Sequence, residues 1–302
     1  MACINNKGLD VMLATIWFVA KILLGIMITF AIFHALVTHF LLWFELRLKS
    51  LQGELTEKIP ILTIAKSFCI EACCTFIRFF LYPFLLFSED SSKGKGSQAT
   101  PILLVHGYLQ NQTDWLWFKR KLQENPEIGP IFSLNLFPPF NSITQFSEIL
   151  KEEIEKIKAE TKQDKIILIG HSMGGLVCSY YSEFLAKPGE ILKVITIGSP
   201  FQGTRLAALG FGENVKEMSP RSSFLHHLTS RIQQSKIPYH HIASQLDNMI
   251  VPWQSAFPGH SHSHHNNLVD ANKLILTDHG HLRMLVSPKV VHQVAKWVLK
   301  AS

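Results

Sequence analysis

The run Gly170-His171-Ser172-Met173-Gly174 sets a serine between two glycines, each two residues away. A serine hydroxyl attacks an acyl carbon when a base takes its proton and fixed N–H groups receive the charge that develops on oxygen. The spacing suits that chemistry on a sharp turn from strand to helix, where the glycines let neighbouring backbone pass close to a strained serine. Ile166-Ile167-Leu168-Ile169 ahead of it reads as a buried strand, and Met173 to Ala186 behind it reads as a helix. Ser172 is therefore the candidate nucleophile, and the amides at the helix start favour negative charge beside it.

A nucleophile needs partners. Val105-His106-Gly107-Tyr108 closes the first strand of the same region, so the backbone amides of Tyr108 and Met173 are the candidate oxyanion donors. In this type of fold the acid stands between nucleophile and base in the chain. Asp247, four residues beyond a strand at Tyr239 to Ala243, meets that condition, with Asp270 and Asp278 as competitors. Fifteen histidines make composition useless for choosing the base. His281 lies after the last strand and before a helix marked by Ser287 and Pro288, with His279 as its rival and Gly280 read as loosening the backbone ahead of it.

The His-rich run 259–267 attracts attention because imidazole suits zinc, copper and nickel. Alternating His and Ser in a polar loop lacks fixed ligand geometry, however, and acyl transfer through serine needs neither metal nor cofactor. The expectation is none of either.

These residues need a scaffold. Strands are expected at Ile102 to His106, Phe132 to Leu136, Lys165 to Ile169, Lys193 to Ile197, Tyr239 to Ala243 and Lys273 to Leu276. Helices are expected at Thr113 to Glu124, Ser142 to Glu160, Met173 to Ala186 and Pro288 to Lys300. Alternation of short runs, apolar on both faces, with longer amphipathic ones implies an α/β fold whose mostly parallel sheet is covered on both sides. Trp115, Trp117 and Phe118 read as the core face of their helix. Residues 201–238 read as a small cap insertion, in which Leu206, Leu209, Phe211, Phe224, Leu225, Leu228 and Ile232 either line an acyl pocket or pack on the core.

The N-terminal third has a different character. Hydrophobic residues make up 47% of the chain and the mean hydropathy is +0.16. From Val11 to Phe44 the run is apolar apart from Lys21, His34 and His39, and the window Ile22 to Phe44 holds fourteen Leu, Ile, Phe and Val residues. Each contributes roughly −0.3 to −0.6 kcal/mol to insertion, so a single-pass anchor over residues 1–50 is expected. The run is too long for a signal-peptide core. Lys7 and Lys21 on one side and Arg47 and Lys49 on the other leave its orientation open, along with the identity of the membrane.

Residues 51–87 are expected to form an amphipathic helical segment, whose apolar stretch from Ile61 to Phe87 carries Ser67, Glu71, Cys74, Arg78 and Tyr82 as one narrow polar stripe. This predicts a helix in the membrane interface or against the first span, with packing on the catalytic core as the alternative; Pro83 would end it. Cys69, Cys73 and Cys74 are open to two readings, acylation or burial as small hydrophobes. The Ser, Gly and Lys composition of residues 88–100 reads as a linker, so the catalytic domain is expected over 101–302. The net charge of +6 is scattered, with no basic stripe for nucleic acid, and an anionic membrane surface is the simpler partner. No protein partner is inferable.

The runs Gly170 to Gly175, His106-Gly107, Gly198-Ser199-Pro200-Phe201-Gln202-Gly203, Asp247 with Met249-Ile250-Val251, and Gly280-His281 with Leu282 and Leu285 together resemble the bacterial triacylglycerol lipases and related esterases of the α/β-hydrolase superfamily. The resemblance covers Pro101 to about Leu299. It implies Ser172 as nucleophile, Asp247 as acid, His281 as base, and Tyr108 and Met173 as oxyanion amides. It departs from secreted lipases in the long anchor, which points to an acyl ester met at a membrane, a lipid in chemical class, as substrate. Two alternatives remain at this stage: an acyltransferase using the same triad, and a non-catalytic membrane scaffold that keeps the fold.

Overall fold

The computed structural model describes residues 6–52, 59–82, 99–259 and 271–300. Pro83, most of the expected linker, the His-rich run beyond Gly259 and the rival acid Asp270 lie outside the described residues.

Six strands form one parallel sheet: β1 Ile102–Val105, β2 Ile131–Leu134, β3 Ile166–His171, β4 Ile191–Ile197, β5 Tyr239–Ser244 and β6 Lys273–Leu276, in the order β2-β1-β3-β4-β5-β6. The expected strands are all present, with ends moved by one or two residues. Alternation along each strand divides the core into two layers. From β1, Leu103 and Val105 face a layer closed by the helices α4 Ile143–Thr161 and α5 Met173–Tyr180, while Ile102 and Leu104 face α3 Leu116–Leu122 and α8 Pro288–Leu299. Trp115 and Phe118 are fully buried in the second layer, as their pattern predicts.

Local signals start the helices where expected. Ser142 and Gln145 form a reciprocal cap at the start of α4, a device worth about 1 kcal/mol. Ser287 accepts from Val290 N ahead of α8, with Pro288 at the first helical position. The helix expected from Thr113 instead opens with a 3-10 turn, Gln112–Trp115, because the Asn111 side chain accepts from Thr113 N and tightens the entry.

At the N-terminus stand α1 Asn6–Leu51 and α2 Ile61–Leu81. At roughly 1.5 Å per residue α1 is about 70 Å long, and it is long and apolar enough to cross a membrane. Its two halves differ. From Gly8 to Phe30 every residue except Met27 is exposed, whereas Ala31, Ala35, Thr38, His39, Leu42 and Glu45 form a buried stripe at helical spacing. The alanines, four apart, let α2 come close. Phe30 meets Phe79 edge-on at 4.9 Å, His39 meets Phe68 edge-on at 5.5 Å, and Ser67 Oγ lies 3.4 Å from His39 Nε2. The lower end of α1 is tied to the sheet region through Glu45–Arg205 at 2.9 Å and a Lys49 Nζ bond to Gln254 Oε1 at 2.7 Å.

The polar stripe of α2 is real, but it is turned inward. Ser67, Glu71 and Thr75 are buried, Arg78 is half-buried, and only Tyr82 at the far end is exposed. Ile61, Leu62, Ile77 and Phe80 point out. The helix packs on α1 and also on the sheet region, combining two arrangements that the sequence presents as alternatives, because its carboxylate finds backbone donors there. Of the cysteines, Cys69 and Cys73 are exposed thiols, Cys74 is half-buried and Cys178 is buried.

Candidate active site

Four loops meet at the C-terminal edge of the sheet. The loop after β3 holds Ser172 at φ 56 and ψ −127, a conformation that costs a non-glycine residue roughly 1–3 kcal/mol. Neighbouring backbone holds it there: Ser172 N donates to Ile197 O at 2.9 Å and Gly175 N donates to Ser172 O at 3.0 Å. A side chain at Gly174 would run into the carbonyls of Val105 and His106, and one at Gly170 into the backbone of Gly175. The glycine spacing therefore serves close packing of the elbow against β1 and α5.

The loops after β5 and β6 bring Asp247 and His281 together. His281 Nδ1 lies 2.9 Å from both Asp247 carboxylate oxygens, and the two residues are almost fully buried. Asp247 Oδ1 also accepts from Met249 N at 2.9 Å and Ile250 N at 2.8 Å, which locks the carboxylate in place. With its Nδ1–H directed at Asp247, the imidazole keeps Nε2 free to accept a proton.

The rival histidine has partners of its own. His279 Nδ1 lies 2.7 Å from Asp278 Oδ1 and its Nε2 lies 2.8 Å from Ser287 Oγ. Ser287 is only 3% exposed and caps α8 through Val290 N, so this set holds a loop to a helix. Burial lowers the His279 pKa, a shift that its bond to Asp278 opposes.

The loop after β1 lies against the serine, since a Cβ at Gly107 would stand 2.7 Å from the Ser172 Cβ. His106 braces this loop: its Nδ1–H donates to Gly107 O at 2.8 Å while its Nε2 accepts from Leu136 N at 2.9 Å. Burial pushes the His106 pKa down to about 4, so the ring is neutral, as that pairing requires. Gly107 N is taken by Gln110 Oε1 at 2.6 Å, whereas the amides of Tyr108 and Met173 donate to no acceptor among the described residues. His171 stands between the loops, with Nδ1 3.0 Å from Gln110 Oε1, Nε2 3.3 Å from His281 O, and its ring 4.4 Å from that of His281. Burial, and then the nearby His281, hold its pKa well below the ordinary range. A neutral ring has one N–H, which serves the shorter bond.

Residues 100–274 match the family described by the α/β hydrolase fold. The chain belongs to this family. Among curated relatives, it is 29% identical over 126 residues to a triacylglycerol lipase of Pseudarthrobacter phenanthrenivorans, covering 40% of this chain and 38% of that protein. It is 32% identical over 98 residues to triacylglycerol lipase 2 of Saccharomyces cerevisiae, covering 31% and 29%. The matches thus span well under half of those relatives. Among solved structures, the mature lipase BlEst2 of Bacillus licheniformis aligns with a TM-score of 0.56 at 15% identity over 70% of this chain and 96% of that one. A lin2722 product of Listeria innocua aligns at 0.51 and 17%, over 68% and 95%. At these identities the structural likeness is one of fold.

Within this α/β hydrolase, the cap insertion departs from one of its two expected roles. Leu225, Leu228 and Ile232 of α7 Ser223–Ile232 are buried in the core layer beside Leu176 and Val177, and Phe224 stacks on Tyr180 at 5.6 Å. Leu206 is buried as well, as the core-packing reading of these residues expects. Leu209 and Phe211 are exposed, and Phe211 is joined to the loop after β1: Tyr108 Oη donates to Phe211 O at 2.8 Å and accepts from Phe211 N at 3.1 Å. Phe137, Phe140 and Leu109 add exposed apolar surface on the same side, with the Phe140 ring 6.5 Å from that of Tyr108.

Sequence reasoning missed four residues that touch this site. Gln110 and His171 are adjacent to recognised motifs but look interchangeable with any polar residue. Asn248 follows Asp247, and its Oδ1 accepts from His281 N at 3.0 Å. Glu71 stood out in the polar stripe, yet nothing local names its partners: its two oxygens accept from Leu282 N at 3.1 Å and Arg283 N at 2.8 Å.

Proposed function

We propose that this chain is a membrane-anchored carboxylic-ester hydrolase that cleaves acyl lipids through a Ser172 acyl-enzyme. The observation that carries the reading is the buried Asp247–His281 pair at 2.9 Å, on the same sheet edge as a serine held at φ 56.

In the reaction, His281 Nε2 takes the proton from Ser172 Oγ as the oxygen attacks the acyl carbon, and Asp247 stabilises the imidazolium that forms. The amides of Tyr108 and Met173 receive the developing oxyanion; loss of one such donor typically costs about 10² to 10³ in rate. His281 then gives its proton to the departing alcohol, and a water, deprotonated by the same nitrogen, releases the acid.

A lipid substrate is supported by the triacylglycerol lipase relatives and by the apolar rim of Leu109, Phe137, Phe140, Leu209 and Phe211 beside Tyr108. Membrane attachment is supported by α1. The sequence window Ile22 to Phe44 needs revising, because from Ala31 onward α1 is partly covered by protein. The free stretch from Gly8 to Phe30 is about 34 Å long, enough for a hydrocarbon core of about 30 Å. It holds twelve Leu, Ile, Val and Phe residues, worth roughly −4 to −7 kcal/mol together, against about +3 for Lys21 near its middle and a smaller cost for Asp10 close to its end.

A fluorophosphonate probe tests the chemistry on the full chain in detergent. Wild type should label at one site, and Ser172→Ala and His281→Ala should both abolish labelling. A folded wild-type chain that does not label would make the protein a scaffold that retains the fold. A chain-length series of p-nitrophenyl esters tests the substrate class, since activity confined to acetate and butyrate would rule out long acyl chains.

A further inference from the structure

We infer that the N-terminal helix pair is part of the catalytic apparatus, with Glu71 of α2 as the residue that positions the His281 loop; this rests on the role proposed for His281. The base stands on a short loop between β6 and the 3-10 helix Leu282–Val286. Nothing in the strand fixes its ring, and a catalytic group must be held to within about 0.5 Å to work.

Three consecutive backbone amides of this loop are captured by side chains. His281 N goes to Asn248 Oδ1 at 3.0 Å, and Leu282 N and Arg283 N go one to each oxygen of Glu71. Asn248 is itself held from the N-terminal pair, its Nδ2 donating to Thr38 Oγ1 of α1 at 2.8 Å. Both routes to the His281 backbone amide and its neighbours therefore end on the N-terminal helix pair. A third tie reaches the oxyanion loop, where Arg78 Nη1 donates to Leu109 O at 3.3 Å, one residue beyond Tyr108.

The fit at Gly280 is specific to this contact. A Cβ there would run into the Glu71 carboxyl, so the absence of a side chain next to the base is what lets the carboxylate reach the two amides. Loosening of the backbone, the reason the sequence suggests for this glycine, is not its use here, since Gly280 is not among the residues at positive φ. Glu71 is 2% exposed and so cannot exchange these donors for water. Two titratable groups of the site itself act on it in opposite senses, His281 favouring its charged form and Asp247 opposing it.

The test uses the full chain in detergent, with p-nitrophenyl ester turnover referred to the endpoint of fluorophosphonate labelling so that only active, folded sites are counted. Glu71→Ala should lower kcat per site 10- to 100-fold with KM within twofold, and should slow labelling by a similar factor. Glu71→Gln, which keeps an acceptor for one amide, should recover at least a third of the wild-type kcat. Thr38→Val, which breaks the Asn248 route, should lower kcat 3- to 10-fold. Should Glu71→Ala fail to fold, a kcat within twofold of wild type in both Glu71→Gln and Thr38→Val would overturn the inference, as would a folded Glu71→Ala chain with unchanged kcat. A wild type that neither labels nor turns over would instead remove the ester-hydrolase reading, and the inference with it.

Discussion

Two helices of similar length, α4 and α2, bury opposite kinds of side chain. In α4 the residues Phe146, Leu150, Ile154 and Ile157 are buried, and Lys and Glu pairs such as Lys156–Glu153 at 3.1 Å face outward. In α2 the buried positions are Ser67, Glu71 and Thr75, while Ile61, Leu62, Ile77 and Phe80 are exposed. The first arrangement releases apolar surface from water and is the ordinary one for a helix covering a sheet. The second makes sense only if the outer face meets something other than water and the carboxylate buried on the inner face finds donors. Glu71 meets that second requirement with bonds from two backbone amides, each worth about 0.5–1.5 kcal/mol net. The helices thus divide the work: the sheet and its cover hold the reacting groups, and the N-terminal pair gives hydrogen-bonding support inside and an apolar face outside.

The largest effect should come from the sheet side of this division. Asp247→Asn should lower kcat by about 10⁴, because an amide in place of the carboxylate sets the wrong imidazole tautomer, while Phe80→Ser on the outer face of α2 should leave kcat in detergent unchanged. Comparable losses in both would abolish the distinction. Deletion comes next in size. Removing residues 2–30 should release the chain from membranes in a carbonate wash and leave kcat in detergent within a few-fold of wild type, since no described contact with the sheet region lies there. Removing residues 2–50 should cost both attachment and activity, because Thr38 goes with it. If the shorter deletion remained tightly bound, the outer faces of α2 and the apolar rim would be the attachment.

A smaller effect, on stability, compares the two helices directly. Leu150→Ala should destabilise the fold by about 2–5 kcal/mol as a cavity opens under α4. Phe80→Ala, on an exposed position of α2, should stay within about 0.5 kcal/mol in detergent. A large loss at Phe80 would mean that this face is covered in the native protein.

The same contrast explains what was legible in the sequence. Ile166-Ile167-Leu168-Ile169, the Ser287-Pro288 start and the elbow glycines are local signals, and each sits where its pattern predicts, with Asp247 and His281 brought together by strand ends whose order follows from the fold. The polar stripe of α2 was equally visible, but its meaning lay in contacts 211 and 212 positions away, to amides that carry no side-chain signature. Gly280 illustrates the loss: beside a histidine it reads as freedom, and only the distant carboxylate shows that it is space. The cap stayed open for a related reason, since Leu225, Leu228 and Ile232 have the same spacing whether they face a substrate or a core.

Glu71 also offers the finest discrimination, through pH. Burial pushes its pKa from 4.5 up to about 7, against the bonds from Arg283 N and Leu282 N and the attraction of His281, with Asp247 adding to the rise. Because the folded value is the higher, folding takes up a proton between about 4.5 and 7; the stability linked to that proton is fully present below 4.5 and is lost as pH rises through 7. Glu71→Gln does not titrate. Its melting temperature relative to wild type should therefore climb between pH 5 and pH 8, with the contributions of Cys74, Arg283 and other neighbours largely cancelling in the difference. A flat difference would mean that the two amides already hold the carboxylate ionised at pH 5. The inward face of α2 would then carry a full negative charge beside His281 throughout the working range, which would strengthen its hold on the loop and add to the stabilisation that Asp247 provides for the imidazolium.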